Sequence, residues 1–283
     1  MGQAGSRNRL SLADTGGWPM RPLLSAEMLK LSRQPAILFW GFLSVPLVAL
    51  LFKLVVEGLL FVRLGRQGGE DIDIFLSAAK SLNLSGNSIG QLIYAIGIAS
   101  LFFLEYRHAT WRVLVPRQPR VQLFAAKGLL CLMWLALGLL VAAIGDVAIN
   151  LGLSVLKGQG SGGPVFSGAS FVIFVAAFGV ALLELTVLTA FVATLVVFFR
   201  SMIAAVIPAF LLAIGSTVLQ LYLGADADRL PLPSYAAQWM RDWVIMGGSP
   251  LAGLTGLGVL AGWAIILFAL GLYLFSRQQL ATE

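Results

Sequence analysis

The sequence predicts an all-α integral membrane protein with six transmembrane helices, and three observations carry that prediction. Hydrophobic residues make up 59% of the 283 and charged residues 11%, where a soluble globular domain has roughly half and a quarter. The mean hydropathy is +0.90. Six runs are apolar enough to cross a hydrocarbon core, which takes about 20 residues per helix. A water-soluble sphere of this size has too little interior to hide so much apolar surface, so the solvent around it is lipid. A soluble enzyme, a disulfide-stapled secreted domain and a disordered chain are thereby excluded. Cys131 is the only cysteine and His108 the only histidine, which removes internal disulfides and argues against His-built metal sites and triads.

The runs fall at about 35–62, 89–104, 123–150, 170–199, 202–223 and 251–275. The second is short, so its helix is expected to begin within 82–88. The first, third and fourth are long enough to tilt or to project beyond the lipid. Residues 1–20 are polar, with Arg7, Arg9, Asp14, Gly16 and Gly17; they lack the short apolar core of a signal peptide and are read as a disordered cytoplasmic tail. Residues 21–34 read as an amphipathic interfacial helix, with Leu24, Met28 and Leu31 on one face and Glu27, Lys30 and Arg33 on a polar arc. Pro35 breaks that helix before the membrane crossing. Residues 35–275 then hold the six-helix domain, and 276–283 form a C-terminal tail.

Basic residues set the orientation. Twelve Lys and Arg lie on the side of the termini and of the 105–127 segment, six lie on the other side, and Lys53 sits within the first span. The bias puts both termini in the cytoplasm. It also accounts for the net charge of +6 without any nucleic-acid partner. The outer loops are 63–88, 157–168 and 224–250. In the last, Tyr235, Trp239 and Trp243 recur at helical spacing and predict a short helix lying on the outer membrane surface, with its aromatics at headgroup level.

Ionisable groups within lipid are costly and point to function. Lys53 and Glu57 lie four apart in the first span and are expected to pair with each other. Asp146, near the outer end of the third span, is expected to meet water. Glu184 falls near the middle of the fourth span with no cation beside it in sequence. It must face the bundle interior, a subunit seam or a cavity, or be protonated; a place in a substrate path or gate and a helix–helix hydrogen bond both fit, and Glu57 and Asp146 are the weaker candidates for such a path. Gly258 and Gly262 have G-x-x-x-G spacing, suited to close packing within or between subunits.

No phosphate-binding G-x-x-x-x-G-K-[ST] string occurs, so any ATP hydrolysis belongs to another chain. The string Gly86-Asn87-Ser88-Ile89-Gly90 fits G-x-S-x-G and raises an intramembrane serine hydrolase as a reading. The required base is missing: His108 lies past the far end of the same helix, about 30 Å away at 1.5 Å per residue.

The stretch from Glu105 to Arg120 carries most of the functional information. It combines an acid, a hydroxyl, a tryptophan, several arginines and two prolines. Trp and Arg anchor protein interfaces, and a basic juxtamembrane loop touching anionic lipid fits the same composition. The stretch resembles the signature of the ABC-2 family of transporter permeases, in which the second span ends in glutamate and is followed by Gly-Thr, a basic position, leucines, a Pro-Arg element and a lysine opening the third span. This sequence has Glu105, Thr110, Arg112, Leu114, Pro119, Arg120 and Lys127 in that order, and departs at Ala109, where the family usually has glycine. The resemblance implies a dimer of six-span permease subunits, not catalytic itself, in a bacterial cytoplasmic membrane. It further implies separate ABC ATPase subunits that bind ATP and magnesium, with export as the direction. Docking on the ATPase would involve Glu105, Tyr106, Arg107, Thr110, Trp111, Arg112 and Arg120. The rival class is a non-transport membrane scaffold or assembly protein.

Overall fold

The computed structural model describes residues 20–64, 71–107, 119–157, 163–224 and 230–278. The polar N-terminal tail, His108, Thr110, Trp111 and Arg112 lie outside the described residues. Helix α1 (Met20–Ser32) leads through a turn at Gln34 into α2 (Pro35–Leu38), with proline at the first helical position. A π turn, Phe39–Leu43, joins α2 to α3 (Ser44–Leu64). Its cause is Pro46, which lacks the N–H that the Phe42 carbonyl would accept in a regular helix. Six helices, among the described residues, are long and apolar enough to cross a membrane: Pro35–Arg63, Ser88–Arg107, Arg120–Leu156, Gly168–Phe199, Met202–Leu223 and Pro250–Arg277. The sequence-predicted spans are all present, and the second helix begins at Ser88 as expected.

Between the first two crossings, β1 (Ile72–Asp73), α4 (Ile74–Ser81) and a 3-10 turn (Leu82–Gly86) lead into α5 (Ser88–Arg107). Asp73 caps α4 by accepting from the Leu76 N–H at 3.1 Å. The third crossing, α6 (Arg120–Lys157), has 38 residues, about 57 Å at 1.5 Å per residue. Strand β2 (Pro164–Val165) pairs in parallel with β1 and precedes α7 (Gly168–Phe199). Arg200, in the left-handed conformation at φ 51°, turns the chain into α8 (Met202–Leu223), whose N-terminus Ser201 caps. Helices α9 (Pro233–Met246) and α10 (Pro250–Arg277) complete the chain.

The bundle has a basal end, holding α1, the start of α6 and the ends of α5 and α10, and a distal end holding α4 and α9. Helix α7 runs through the centre, packed by α4, α5, α6, α8, α9 and α10; Leu185, Val192, Val196 and Val197 on it are fully buried. The first two crossings touch backbone to backbone. A Cβ at Gly97 of α5 would sit 2.6 Å from the Gly41 carbonyl in the π turn, so only glycine allows this approach.

Two sequence-based expectations about faces are not met. In α1 the buried stripe is Leu23, Glu27 and Leu31, while Met28 is 44% exposed. The reason is electrostatic: Glu27 finds cations in the bundle, and the helix rolls to bring it there. Helix α9 does not turn its aromatic face outward: Tyr235 is buried, and Trp239 and Trp243 are half-buried. It is wedged against α7 and α10, with Tyr235, Ala236 and Ala237 buried and the Tyr235 hydroxyl donating to the Ser216 carbonyl at 2.6 Å. Glycines on α10 make room, since a Cβ at Gly256 would meet the Ala236 carbonyl at 2.5 Å and one at Gly253 the Trp243 ring at 2.2 Å. Gly258 and Gly262, by contrast, face open space.

Candidate functional site

At the basal end, four charged side chains from three helices form one alternating cluster. Lys127, in the second turn of α6, donates to Glu27 Oε2 of α1 at 2.8 Å and to Glu105 Oε1 of α5 at 3.0 Å. Lys30 donates to Glu27 Oε1 at 2.7 Å and to Glu105 Oε1 at 3.3 Å. Lys127 is only 2% exposed, and Glu27 and Glu105 are buried with it. A buried ammonium is tolerated only with such partners, because the loss of hydration costs several kcal/mol per ion. The segment that starts after Arg107 and ends before Pro119 is therefore flanked by two anchored residues, one on each side. Glu105 was expected to face a partner; it faces into the protein instead.

Tyr106 and Arg120 also turn inward. The Tyr106 hydroxyl donates to Gln278 Oε1 at 2.9 Å. Arg120 Nη1 donates to the carbonyls of Phe275, Ser276 and Gln278 at 3.0, 2.5 and 2.8 Å, satisfying the otherwise orphaned end of α10. Arg107 is exposed. The seven sequence-predicted docking residues thus divide: Glu105, Tyr106 and Arg120 form the frame, Arg107 stands on the surface, and Thr110, Trp111 and Arg112 lie outside the described residues.

The charge balance of α1 predicts a pH response. Burial pushes the Glu27 carboxyl up, but Lys127 and then Lys30 pull it down harder, and it lies below its ordinary 4.5. Burial pulls the Lys30 ammonium down, while Glu27 and Glu105 raise it more, and it lies above 10.5. A depressed carboxyl contributes stability that is present above its unfolded value and lost as pH falls through the folded one; a raised ammonium contributes below its unfolded value and loses it as pH rises through the folded one. Docking of α1 is therefore expected to be level between these limits and to weaken under stronger acid. Amide exchange across α1, corrected for intrinsic rate, checks this.

Two clusters occupy the distal half. In the first, Asp146 of α6 is 2% exposed and does not meet water as expected. It accepts from Lys53 of α3 at 2.5 Å and from Ser77 of α4 at 2.7 Å. Asn150 accepts from Lys53 at 3.0 Å and donates to Asp146 and Ser77. Lys53 thus bonds to α6 and not to Glu57, overturning the local i, i+4 pair. The physical reason is that a carboxylate already held by two donors is a better partner within lipid than a flexible neighbour at the bilayer face. Glu57 is half-buried and has no hydrogen bond or ion pair among the described residues. Nineteen residues separate Lys127 from Asp146, a rise of about 28 Å, close to the thickness of a hydrocarbon core. The 18 residues between them carry no charge, so the two clusters bracket the apolar zone.

In the second, Glu184 of α7 is 3% exposed and pairs with Arg241 of α9. Ser85 in the 3-10 turn donates to Glu184 Oε2 at 2.7 Å, and Gln91 of α5 donates to Oε1 at 3.3 Å. Gly86 opens the way for Arg241, since a Cβ there would lie 2.7 Å from its Nη1. The adjoining cavity, lined by Gln91, Ser216 and Trp263 among others, has about 40 Å³. That suits a water-sized group and no substrate. The sequence-predicted interior position of Glu184 is observed. Its counter-ion is 57 residues away in a loop helix, and no local signal in the sequence marks the pairing.

Ser88 Oγ bonds to the Ala213 carbonyl at 3.2 Å and lies 3.0 Å from the Thr217 hydroxyl on α8, a helix–helix contact. Among the described residues no cluster of His, Cys, Asp or Glu is placed to hold a metal ion.

A family model described as ABC-2 family transporter protein matches residues 23–216, more than half of the chain. The match runs from α1 to the distal part of α8 and includes the basal cluster, the Lys53–Asp146 cluster and Glu184. No curated protein and no solved structure gives a match.

Proposed function

This chain belongs to the ABC-2 family of transporter membrane proteins, a transport component and not a catalyst, and we propose that it is the permease subunit of an ATP-driven exporter. In this reading it pairs with a second permease subunit in a bacterial cytoplasmic membrane, with both termini inside. Separate ABC ATPase subunits, carrying ATP and magnesium, press on residues 108–118. The observation that supports this best is the basal cluster. Glu105 and Lys127 hold the two ends of that segment in one buried unit with α1. A push on the segment then moves α1, α5 and α6 together, because parting them would strand charges in a low-dielectric interior.

At the distal half, Arg241 and Glu184 act as a latch that fastens α9 and the 82–86 turn to α7. Rotation of the basal unit would release the latch, and the distal end would part. This makes Glu184 a gating residue, the role that its small cavity suits better than direct contact with substrate.

The docking half is tested with Trp111→Ala and Arg112→Ala in one chain. Co-purification of the partner ATPase is expected to fall at least about tenfold, the loss of one anchoring contact of 1.4 kcal/mol or more, while membrane insertion persists. A cysteine at Thr110, in a chain whose own Cys131 is buried, is expected to react with an impermeant maleimide only from the cytoplasmic side. Undiminished association, or labelling from outside, overturns the proposal.

A further inference from the structure

An apolar groove of about 580 Å³ runs along the basal half of the bundle between α6 and α10, with α7 as its floor. Phe102, Phe124 and Phe268 bound it, and Gly128, Ala193 and Ala264 hollow it out. Its polar lining, Thr186 and Thr189, is already satisfied: each hydroxyl donates to a carbonyl one turn back, Leu182 or Leu185, at 2.7 Å. A water placed there would find no partners, and a polar ligand would lose its own. The volume lies within the roughly 300–1,000 Å³ of small-molecule sites. Leu129 and Ile265 on the rims are 49% and 69% exposed, so the groove opens sideways on the outer surface of the bundle.

Apolar fit alone gives no preference within a bilayer, because lipid tails are as apolar as the groove. The charge at its basal mouth supplies one. Arg120 spans the mouth, its Nη1 clasping the last carbonyls of α10. A guanidinium has five N–H donors, and Nη2 and Nε of Arg120 have no hydrogen bond among the described residues. In that same last turn of α10, exposed Arg277 lies over the Tyr273 ring at 5.0 Å. Neither 120–145 nor 250–277 contains an acidic residue, so both cations stand unneutralised by the walls they belong to.

We propose that this groove holds an acyl chain of a bilayer lipid whose anionic headgroup meets Arg120 and Arg277. The site takes lipid as a resident partner, not as transported cargo, since the groove opens sideways at the rims Leu129 and Ile265 and lies apart from the Glu184 cluster. The assignment of the leaflet as cytoplasmic rests on the orientation given above; the binding itself does not, and the cysteine labelling separates the two.

The test is native mass spectrometry of the full chain, titrated in detergent with phosphatidylglycerol or phosphatidylcholine. One phosphatidylglycerol per chain is expected to be retained in preference to phosphatidylcholine. Arg277→Gln is expected to reduce that preference about fivefold, the usual value of one cation beside anionic lipid. Gly128→Leu and Ala269→Phe fill the groove; a Cβ at Gly128 meets only the Phe268 ring, at 3.7 Å, so the variant is expected to keep its melting temperature and lose the bound lipid. Equal retention of both lipids by the wild-type chain, or lipid held undiminished by both filled variants, overturns the inference. Release of the lipid on ATP-driven turnover would make it cargo and overturn it as well.

Discussion

Replacing Lys127 with methionine is expected to destabilise the chain by about 3–5 kcal/mol, the range for removing one partner of a buried ion pair. The substitution leaves Glu27 and Glu105 buried with Lys30 as their shared cation in the cluster, at 2.7 and 3.3 Å. Lys30 is the outermost member, with its side chain 42% exposed, and does not replace the buried ammonium that lies 2.8 Å from Glu27 and 3.0 Å from Glu105. Methionine is close to lysine in volume and leaves no cavity, so the loss is electrostatic. Glu105→Gln is expected to cost less, because Lys127 keeps Glu27 at 2.8 Å. The double variant is expected to recover part of the Lys127→Met loss, since removing both charges avoids an unpaired one; coupling within such a network is of order 0.5–3 kcal/mol. Thermal unfolding in detergent measures these terms, and ATPase co-purification measures the functional one. If Lys127→Met melts within about 1 kcal/mol of the wild-type chain, the cluster is not a lock and cannot transmit force as proposed.

Removal of Arg241 is the second large effect. Arg241→Met leaves Glu184 3% exposed, without its cation and supported by Ser85 and Gln91 alone, again about 3–5 kcal/mol. Glu184→Gln is milder. The amide keeps its contacts to Ser85 and Gln91, and Arg241, with 15% of its side chain exposed, can turn toward water; the loss is about 1.5–3 kcal/mol, that of a hydrogen bond to a charged group. The two variants are also expected to differ in function. Glu184→Gln weakens the latch without stranding a charge, so transport changes at near-normal expression. Arg241→Met lowers folded protein first. A Gln variant that matches the wild-type chain in both melting and transport removes Glu184 from the mechanism.

The linear sequence made the spans legible because apolar length is a local property. It also marked the break at Pro35, a start of the second helix within 82–88 and the interior position of Glu184. Its errors share one cause. Sequence periodicity reports which residues lie on one face, not what that face meets. Leu24, Met28 and Leu31 looked like the buried face of α1, but Glu27 is drawn inward by Lys127, 100 residues away. Lys53 and Glu57 looked self-sufficient, yet Asp146, 93 residues from Lys53, is the partner. The aromatics of α9 signalled a face leaving water and did not distinguish headgroups from protein. The small residues that decide the matter, Gly253 and Gly256, lie on the next helix.

Composition, hydropathy and the Glu105–Lys127 spacing by themselves determined that this is a helical membrane protein with six crossings, and they located its most informative segment. Which charges pair, and hence which helices move together, was decided only by the tertiary structure. The reason is one of range. Transfer into lipid acts on each residue independently and can be summed along the chain, whereas an ion pair in a low-dielectric interior depends on a distance of about 3 Å between atoms that the sequence holds far apart.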